Sequence, residues 1–184
     1  MKLKSLAELD KFRKSDMARR DKEKSYISIC TGTGCCSAGA EVVVDAFREE
    51  CQRQGGKETI SIRPTGCHGF CEQGPIVVIR PKNIFYRMVK PENVGDIITK
   101  TVLNQEIVEK LLYIDPATGK KIVYEDDVPF YSNQTRILLK YNGEIDPTDI
   151  KDYFAVNGYS ALAKVLDNMT PDKVMEEIKK SGLR

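Results

Sequence analysis

All six cysteines of this 184-residue chain, at positions 30, 35, 36, 51, 67 and 71, fall in one stretch, and no thiol follows Cys71. Cys30 and Cys35 have four residues between them, Cys67 and Cys71 have three, and 31 residues separate the two pairs. A fold that uses these thiols together must bring two short loops to one place from either side of a longer segment. The loops suit that demand. TGTGCCSAG follows Cys30 and TGCHGFCEQGP surrounds the second pair, so both are rich in glycine. The flanking segments read as regular elements. Residues 25–30, SYISIC, alternate polar and apolar and predict a strand that ends at Cys30. Residues 40–53 predict a helix with Val43, Ala46 and Phe47 inward, ended by Gly55-Gly56. Residues 58–63 predict a second strand, after which Pro64 and Gly66 open the second loop.

Further on, residues 76–80, IVVIR, predict a third and more apolar strand. Residues 84–89 predict a fourth, paired with it through the turn at Pro81-Lys82-Asn83. Pro91 suits the first position of a helix reaching about Thr101. Residues 25–101 thus read β-α-β-β-α, and the intervening helix allows strands one and two to pair in parallel. Both cysteine loops then leave the same edge of the sheet, where α/β folds commonly bind their ligands. Residues 3–23 predict a helix whose thin stripe of Leu3, Leu6 and Leu9 requires a partner surface. EIVEKLLY reads as a short helix, but residues 105–135 as a whole have no clear period and read as a linker or wrapping segment. Residues 136–184 read as mostly helical. They begin with a short run in RILLKY and end in a helix capped by Thr170 with Pro171 at its first position and by Gly182 at its close.

Lys and Arg number 29 against 27 Asp and Glu, and the two signs interleave, so the basic stripe of a nucleic-acid binder is missing. No apolar run approaches the roughly 18–20 residues that span a bilayer, and the charged start MKLKSLAELDKFRK lacks the apolar core of a secretory signal. The expected setting is the cytoplasm. In that reducing compartment clustered cysteines point to metal, cluster or thiol chemistry rather than a disulfide framework.

Cys30, Cys35, Cys67 and Cys71 supply the four thiolates that a [2Fe–2S] cluster takes. One iron per pair, or a different division, is equally compatible with the spacing. Gly32, Gly34, Gly66 and Gly69 let the backbone pass close enough for amide N–H groups to point at the sulfurs, and such bonds set the reduction potential. Structural zinc also accepts four thiolates, though commonly from tighter pairs, and a zinc scaffold without redox function is the alternative. Thiol redox catalysis favours a Cys-x2-Cys, which does not occur here. Nucleophilic cysteine chemistry needs a base, and the one histidine, His68, lies between two candidate ligands and reads as a loop residue near the cluster. Cys51 falls in the amphipathic helix and reads as a core thiol, and Cys36 as a neighbour of the cluster that does not ligate it. No catalytic residue is assigned.

Cys-T-G-T-G-Cys followed by G-Cys-H-G-F-Cys-E-Q-G-P-I-V-V-I resembles the thioredoxin-like [2Fe–2S] ferredoxin family, which includes the small ferredoxin subunit of respiratory complex I. The segment PFYSNQTRILLKYNGEIDPTDIKDYFAVNGYSALAKVL, with MTPDKVMEEIKKSGLR after it, is similar to the opening of the flavin- and NADH-binding subunit of complex I. In this order the two resemble the beta subunit of NAD(P)-linked, electron-bifurcating [FeFe] hydrogenases and the related subunit of formate dehydrogenases. The resemblance implies an α/β fold: an amino-terminal helix at 1–24, a thioredoxin-like [2Fe–2S] domain at 25–104, a linker at 105–135 and the helical start of a flavoprotein domain at 136–184. It implies a one-electron relay within a flavin and iron–sulfur oxidoreductase complex. The amino-terminal helix and the region after 105 would dock on other subunits. Neither membrane insertion nor nucleic acid is expected. The family's Gly-rich FMN loop and its further cysteines do not occur in these residues. FMN and NAD(H) are therefore expected only in a downstream part of a longer subunit, and no complete active site is expected here.

Overall fold

The computed structural model describes residues 5–20, 25–54 and 60–183. Elements follow in chain order as α1 (Leu6–Arg20), β1 (Tyr26–Cys30), α2 (Thr33–Ser37), α3 (Ala40–Arg53), β2 (Ser61–Thr65), β3 (Val77–Arg80), β4 (Ile84–Tyr86), α4 (Val94–Asp96), β5 (Tyr113–Ile114), β6 (Lys121–Ile122), α5 (Pro129–Ser132), α6 (Ile150–Ala155), α7 (Ser160–Asn168) and α8 (Pro171–Ser181). The chain divides into two compact units, Glu23–Thr148 and the combination of Met1–Lys22 with Asp149–Arg184.

Glu23–Thr148 is built on a sheet of order β2-β1-β3-β4. β1 and β2 run parallel from Tyr26↔Ser61 to Cys30↔Thr65, while β3 is antiparallel to β1 and β4 to β3. The strict period of two along a strand explains how the sheet is used. Ile27, Ile29, Val77, Ile79, Ile84 and Tyr86 share one face with Val43, Val44 and Phe47 of α3 and with Val94, Ile97 and Ile98. Cys30, Val78 and Phe85 belong to a second apolar cluster with Ile76, Tyr113 and Val128. Strands covered on both faces read as near-continuous apolar runs, as β3 does.

Residues 105–135 cover that sheet without a repeating pattern. Val108, Leu111 and Leu112 join the first apolar cluster, and Tyr113 and Val128 the second. The backbone is stitched down by Phe85 N–H to the Val123 carbonyl at 2.8 Å and Arg87 N–H to the Leu111 carbonyl at 3.0 Å. These residues therefore lie in the same compact unit as the sheet. Ser28, a buried hydroxyl in mid-strand, donates to the Gly143 carbonyl at 2.7 Å, so its polar group is satisfied.

Several boundaries differ from those read in the sequence. β2 runs through Pro64 to Thr65 rather than stopping before the proline. It is an edge strand, where a missing N–H costs no ladder bond. The loop after Cys30 contains a short helix, α2, begun by Cys36 N–H bonding to the Gly32 carbonyl at 2.9 Å. β4 ends at Tyr86, and Met88 adopts φ +48 beyond it. The helix from Pro91 continues past α4 as a wider π-turn to Leu103. Glu109–Leu111 forms a single tight turn, and RILLKY forms turns rather than a helix. The expected Gly55-Gly56 stop and the start of β2 at 58–59 lie outside the described residues, as does Leu3.

The second unit is helical. α1 packs on α6 through Phe12 and Phe154, whose rings meet edge to face at 5.7 Å. Arg13 Nε donates to the Phe154 carbonyl at 3.0 Å and its Nη2 to Ser160 Oγ. Of the leucine stripe on α1, Leu9 is buried and Leu6 half-buried within this chain. Thr170 accepts from Lys173 N–H at 3.4 Å, and Gly182 takes φ +67 at the close of α8. No helix among the described residues is long and apolar enough to cross a membrane.

Candidate metal centre

The register Cys30↔Thr65 puts the ends of β1 and β2 side by side, so the two cysteine loops leave the sheet together. The approach is close. A Cβ on Gly32 would lie 2.7 Å from Cys67 Cβ, and one on Gly34 would lie 3.1 Å from Cys71 Cβ and 3.2 Å from its Sγ. Gly74, which the sequence reading did not single out, has the same role toward Cys35, whose Sγ would be 2.7 Å from an added Cβ. Three glycines thus form a cradle that side chains would fill.

Within the cradle the sulfurs pair. Cys67 Sγ and Cys71 Sγ are 3.8 Å apart. The Cys35 thiol donates to Cys30, which with the N–H groups of His68 and Gly32 outweighs burial and holds Cys30 well below the ordinary thiol range. The same bond, followed by burial, pushes Cys35 up. Burial also raises Cys67, against the N–H of Gly69, which points at its sulfur at 3.3 Å. Cys30 and Cys35 are buried, Cys67 is half-buried and Cys71 is exposed. No three His, Cys, Asp or Glu among the described residues converge on a single ion position. A binuclear cluster divides its thiolates between two irons. Paired sulfurs, amide donors and a glycine-lined cradle are a donor set that fits such a group, and binding it would displace the thiol protons.

The remaining thiols lie apart from this set. Cys36 Sγ donates to the Thr31 carbonyl at 3.2 Å, and burial raises its pKa. Cys51 is half-buried on α3 against the first apolar cluster, and burial raises it too. His68 lies in the loop between the two candidate ligands, as read from the sequence, and its side chain is fully buried. Its Nε2 meets Thr65 Oγ1 at 3.0 Å and its Nδ1 meets Glu125 Oε1 at 3.2 Å, so both ring nitrogens are engaged away from ligation. Glu125 Oε2 in turn accepts from Arg80 Nη2 at 2.6 Å. Burial pushes the Glu125 carboxyl up, but the His68 hydrogen bond and the Arg80 charge prevail and hold it below its ordinary range.

Two distant segments also reach the second loop. Phe70, between the two ligand candidates, stacks on Phe130 with centroids 4.4 Å apart and meets Tyr113 edge-on at 5.5 Å. Arg136 Nη2 donates to the His68 carbonyl, and Asn142 Nδ2 to the Cys67 carbonyl at 3.5 Å. A Cβ on Gly66 would lie 3.2 Å from the Asn142 carbonyl oxygen, and one on Gly143 would lie 3.0 Å from the His68 ring. Nothing in the local sequence marks Arg136, Asn142 or Gly143, because their partners are about 70 residues earlier.

Four thiols in a glycine-lined cradle are a donor set that an iron–sulfur cluster accepts. The model of the thioredoxin-like [2Fe–2S] ferredoxin family matches residues 10–102, half of the chain, and the chain belongs to that family. It is 31% identical over 96 residues to a 2Fe–2S ferredoxin of Clostridium pasteurianum, which covers 48% of this chain and 94% of that one. It is also similar to two NADP-reducing hydrogenase subunits of Solidesulfovibrio fructosivorans. HndC is 53% identical over 51 residues, 28% of this chain and 10% of its own length. HndA is 37% identical over 83 residues, 43% of this chain and 47% of its own. The chain thus spans less than half of either hydrogenase subunit. The family membership makes the chain an iron–sulfur electron-transfer module of thioredoxin-like fold.

Proposed function

We propose that this chain holds one [2Fe–2S] cluster on Cys30, Cys35, Cys67 and Cys71 and relays single electrons within an NAD(P)H-linked oxidoreductase complex of the hydrogenase, formate dehydrogenase or complex I type. The observation that carries the reading is the meeting of two cysteine pairs at one end of the parallel β1–β2 pair, with glycines placed where a Cβ would run into the cysteine side chains. When bound, the cluster supplies storage of one electron at a time. The protein's part is to hold four thiolates, aim N–H groups at them and limit water on the Cys30 and Cys35 side. The exposed Cys71 and half-buried Cys67 form the edge through which electrons exchange with a partner centre. The likeness to HndC and HndA supports other subunits of such a complex as partners. Flavin and nicotinamide belong, on this reading, to other parts of the complex, since these 184 residues carry no Gly-rich phosphate loop. A cytoplasmic setting suits six unpaired thiols.

Colour and metal content test the proposal. Protein purified without oxygen should be red-brown, contain iron and inorganic sulfide in equal amounts, and give an EPR signal only after reduction. Colourless protein with one zinc and no sulfide would leave the scaffold reading in its place. Micromolar binding of FMN or NADH, measured by calorimetry, would contradict the placement of those cofactors elsewhere.

A further inference from the structure

A chain of hydrogen bonds ends on Cys67. Gly69 N–H donates to Cys67 Sγ at 3.3 Å. The same peptide unit carries the His68 carbonyl, and that carbonyl accepts from Arg136 Nη2. A cation therefore sits on the acceptor end of the dipole whose donor end meets a candidate ligand sulfur.

The peptide is not free to turn away. Gly69 takes φ +91, a left-handed value that glycine adopts without strain, and this turns its N–H toward Cys67. The His68 side chain is anchored at both ring nitrogens by Thr65 and Glu125. Arg136 is fixed as well. Its guanidinium lies over the Tyr131 ring, 4.8 Å from the centroid, and its Nη2 is 3.5 Å from where a Gly69 Cβ would be. Among the described residues no carboxylate lies within ion-pair distance of Arg136; Glu125, which meets the His68 ring, is taken up by Arg80 and His68.

We propose that Arg136 is a positioning residue for the redox centre, which polarises the His68–Gly69 peptide, strengthens the N–H···S bond to Cys67 and so raises the reduction potential. The proposal rests on the reading that Cys67 is one of four cluster ligands. Reduction adds one negative charge to the cluster and its thiolates. Donors and cations aimed at the sulfurs stabilise that added charge, in the same sense that they stabilise any ionised acid. Bonds in series polarise one another, by roughly 10–30% per bond. A charged donor bonds about twice as strongly as a neutral one. Arg136 is half-buried, so salt screens it less than a fully exposed cation.

The test uses the full chain, loaded without oxygen with iron and sulfide, as wild type, Arg136→Gln and Arg136→Lys. Iron and sulfide are counted, and the reduced-to-oxidised ratio is read by visible absorption and EPR at a series of fixed potentials. At the wild-type midpoint the ratio in Arg136→Gln should fall roughly five- to tenfold, a tenfold change being about 59 mV for a one-electron couple. Arg136→Lys keeps the charge but not the planar fork, and its ratio should fall about two- to threefold. Iron content should not change in either. A fully loaded Gln variant with the wild-type midpoint overturns the proposal. Where the Gln variant loads no cluster, the Lys variant decides: a lowered midpoint supports the proposal and an unmoved one overturns it. A wild type that takes up no iron and sulfide removes the ligand reading and this proposal together, whereas loaded wild type with unmoved variants removes this proposal alone.

Discussion

Glu125 shows how a residue remote from the cysteines in sequence supports their loop. It joins the His68 ring to the Arg80 guanidinium in a largely buried triad, with Arg80 Nη1 also donating to Asn83 Oδ1 at 2.7 Å. Removing one partner of such a pair leaves a buried charge uncompensated, at a cost of roughly 3–5 kcal/mol. Because the carboxyl is held below its ordinary range, its contribution is complete above the unfolded carboxylate pKa of about 4.3 and is lost as pH falls through the lower folded value. We therefore expect Glu125→Gln to lower stability by about 3 kcal/mol at neutral pH, with the gap to wild type closing on acidification. Urea unfolding of both proteins from pH 7 down to well below the unfolded carboxylate pKa of about 4.3 reads this out. A gap that stays constant with pH would show that the carboxylate charge is not what matters.

Among the elements, the segment entering α2 packs tightly against the second loop. With its built Cβ 2.7 Å from Cys67 Cβ and 3.0 Å from Cys67 Cα, Gly32→Ala must push backbone aside. Iron loading should fall several-fold. Gly95 in α4 is a matched control, because a Cβ there meets nothing within 4 Å, and Ala should stabilise the helix by about 0.5–1 kcal/mol without changing loading. Equal iron in the two variants would show that the loops tolerate separation. These contacts also mark what can be read from a sequence. The helical period of Ala40–Arg53 was legible because α3 buries one face, with Val43, Val44 and Phe47, and the alternation in SYISIC because Ile27 and Ile29 share one core face, although Ser28 between them is buried too. Pro64 misled, since a proline reads as a strand end unless the strand is known to be an edge. Residues 105–135 carry no period because they cover the sheet as turns and single anchors such as Val108, Tyr113 and Val128. In the candidate centre the four cysteines, Gly32 and Gly34 were singled out by their spacing and their loops, while Gly74 was not. Nor were Arg136, Asn142 and Glu125, being common residue types whose role arises only from long-range packing.

For the molecule as a whole, the cluster and the fold of Glu23–Thr148 are expected to be linked. A group that binds only the folded state adds stability by mass action. Here it would tie together loops separated by 31 residues. Loading should therefore raise amide-exchange protection at the ends of β1 and β2, in α2 and at Cys67–Cys71. Protection in α7 and α8, which bury no side chain fully and lie in the other unit, should stay as it is. Uniform protection with and without iron would make the cluster a passenger in the fold. The account depends above all on which thiols hold iron, and a serine scan measures that directly. Cys30→Ser, Cys35→Ser, Cys67→Ser and Cys71→Ser should each lose most iron and alter or abolish the reduced EPR signal, while Cys36→Ser and Cys51→Ser should keep wild-type iron and spectrum. Full iron in Cys67→Ser together with loss in Cys51→Ser would contradict the assignment.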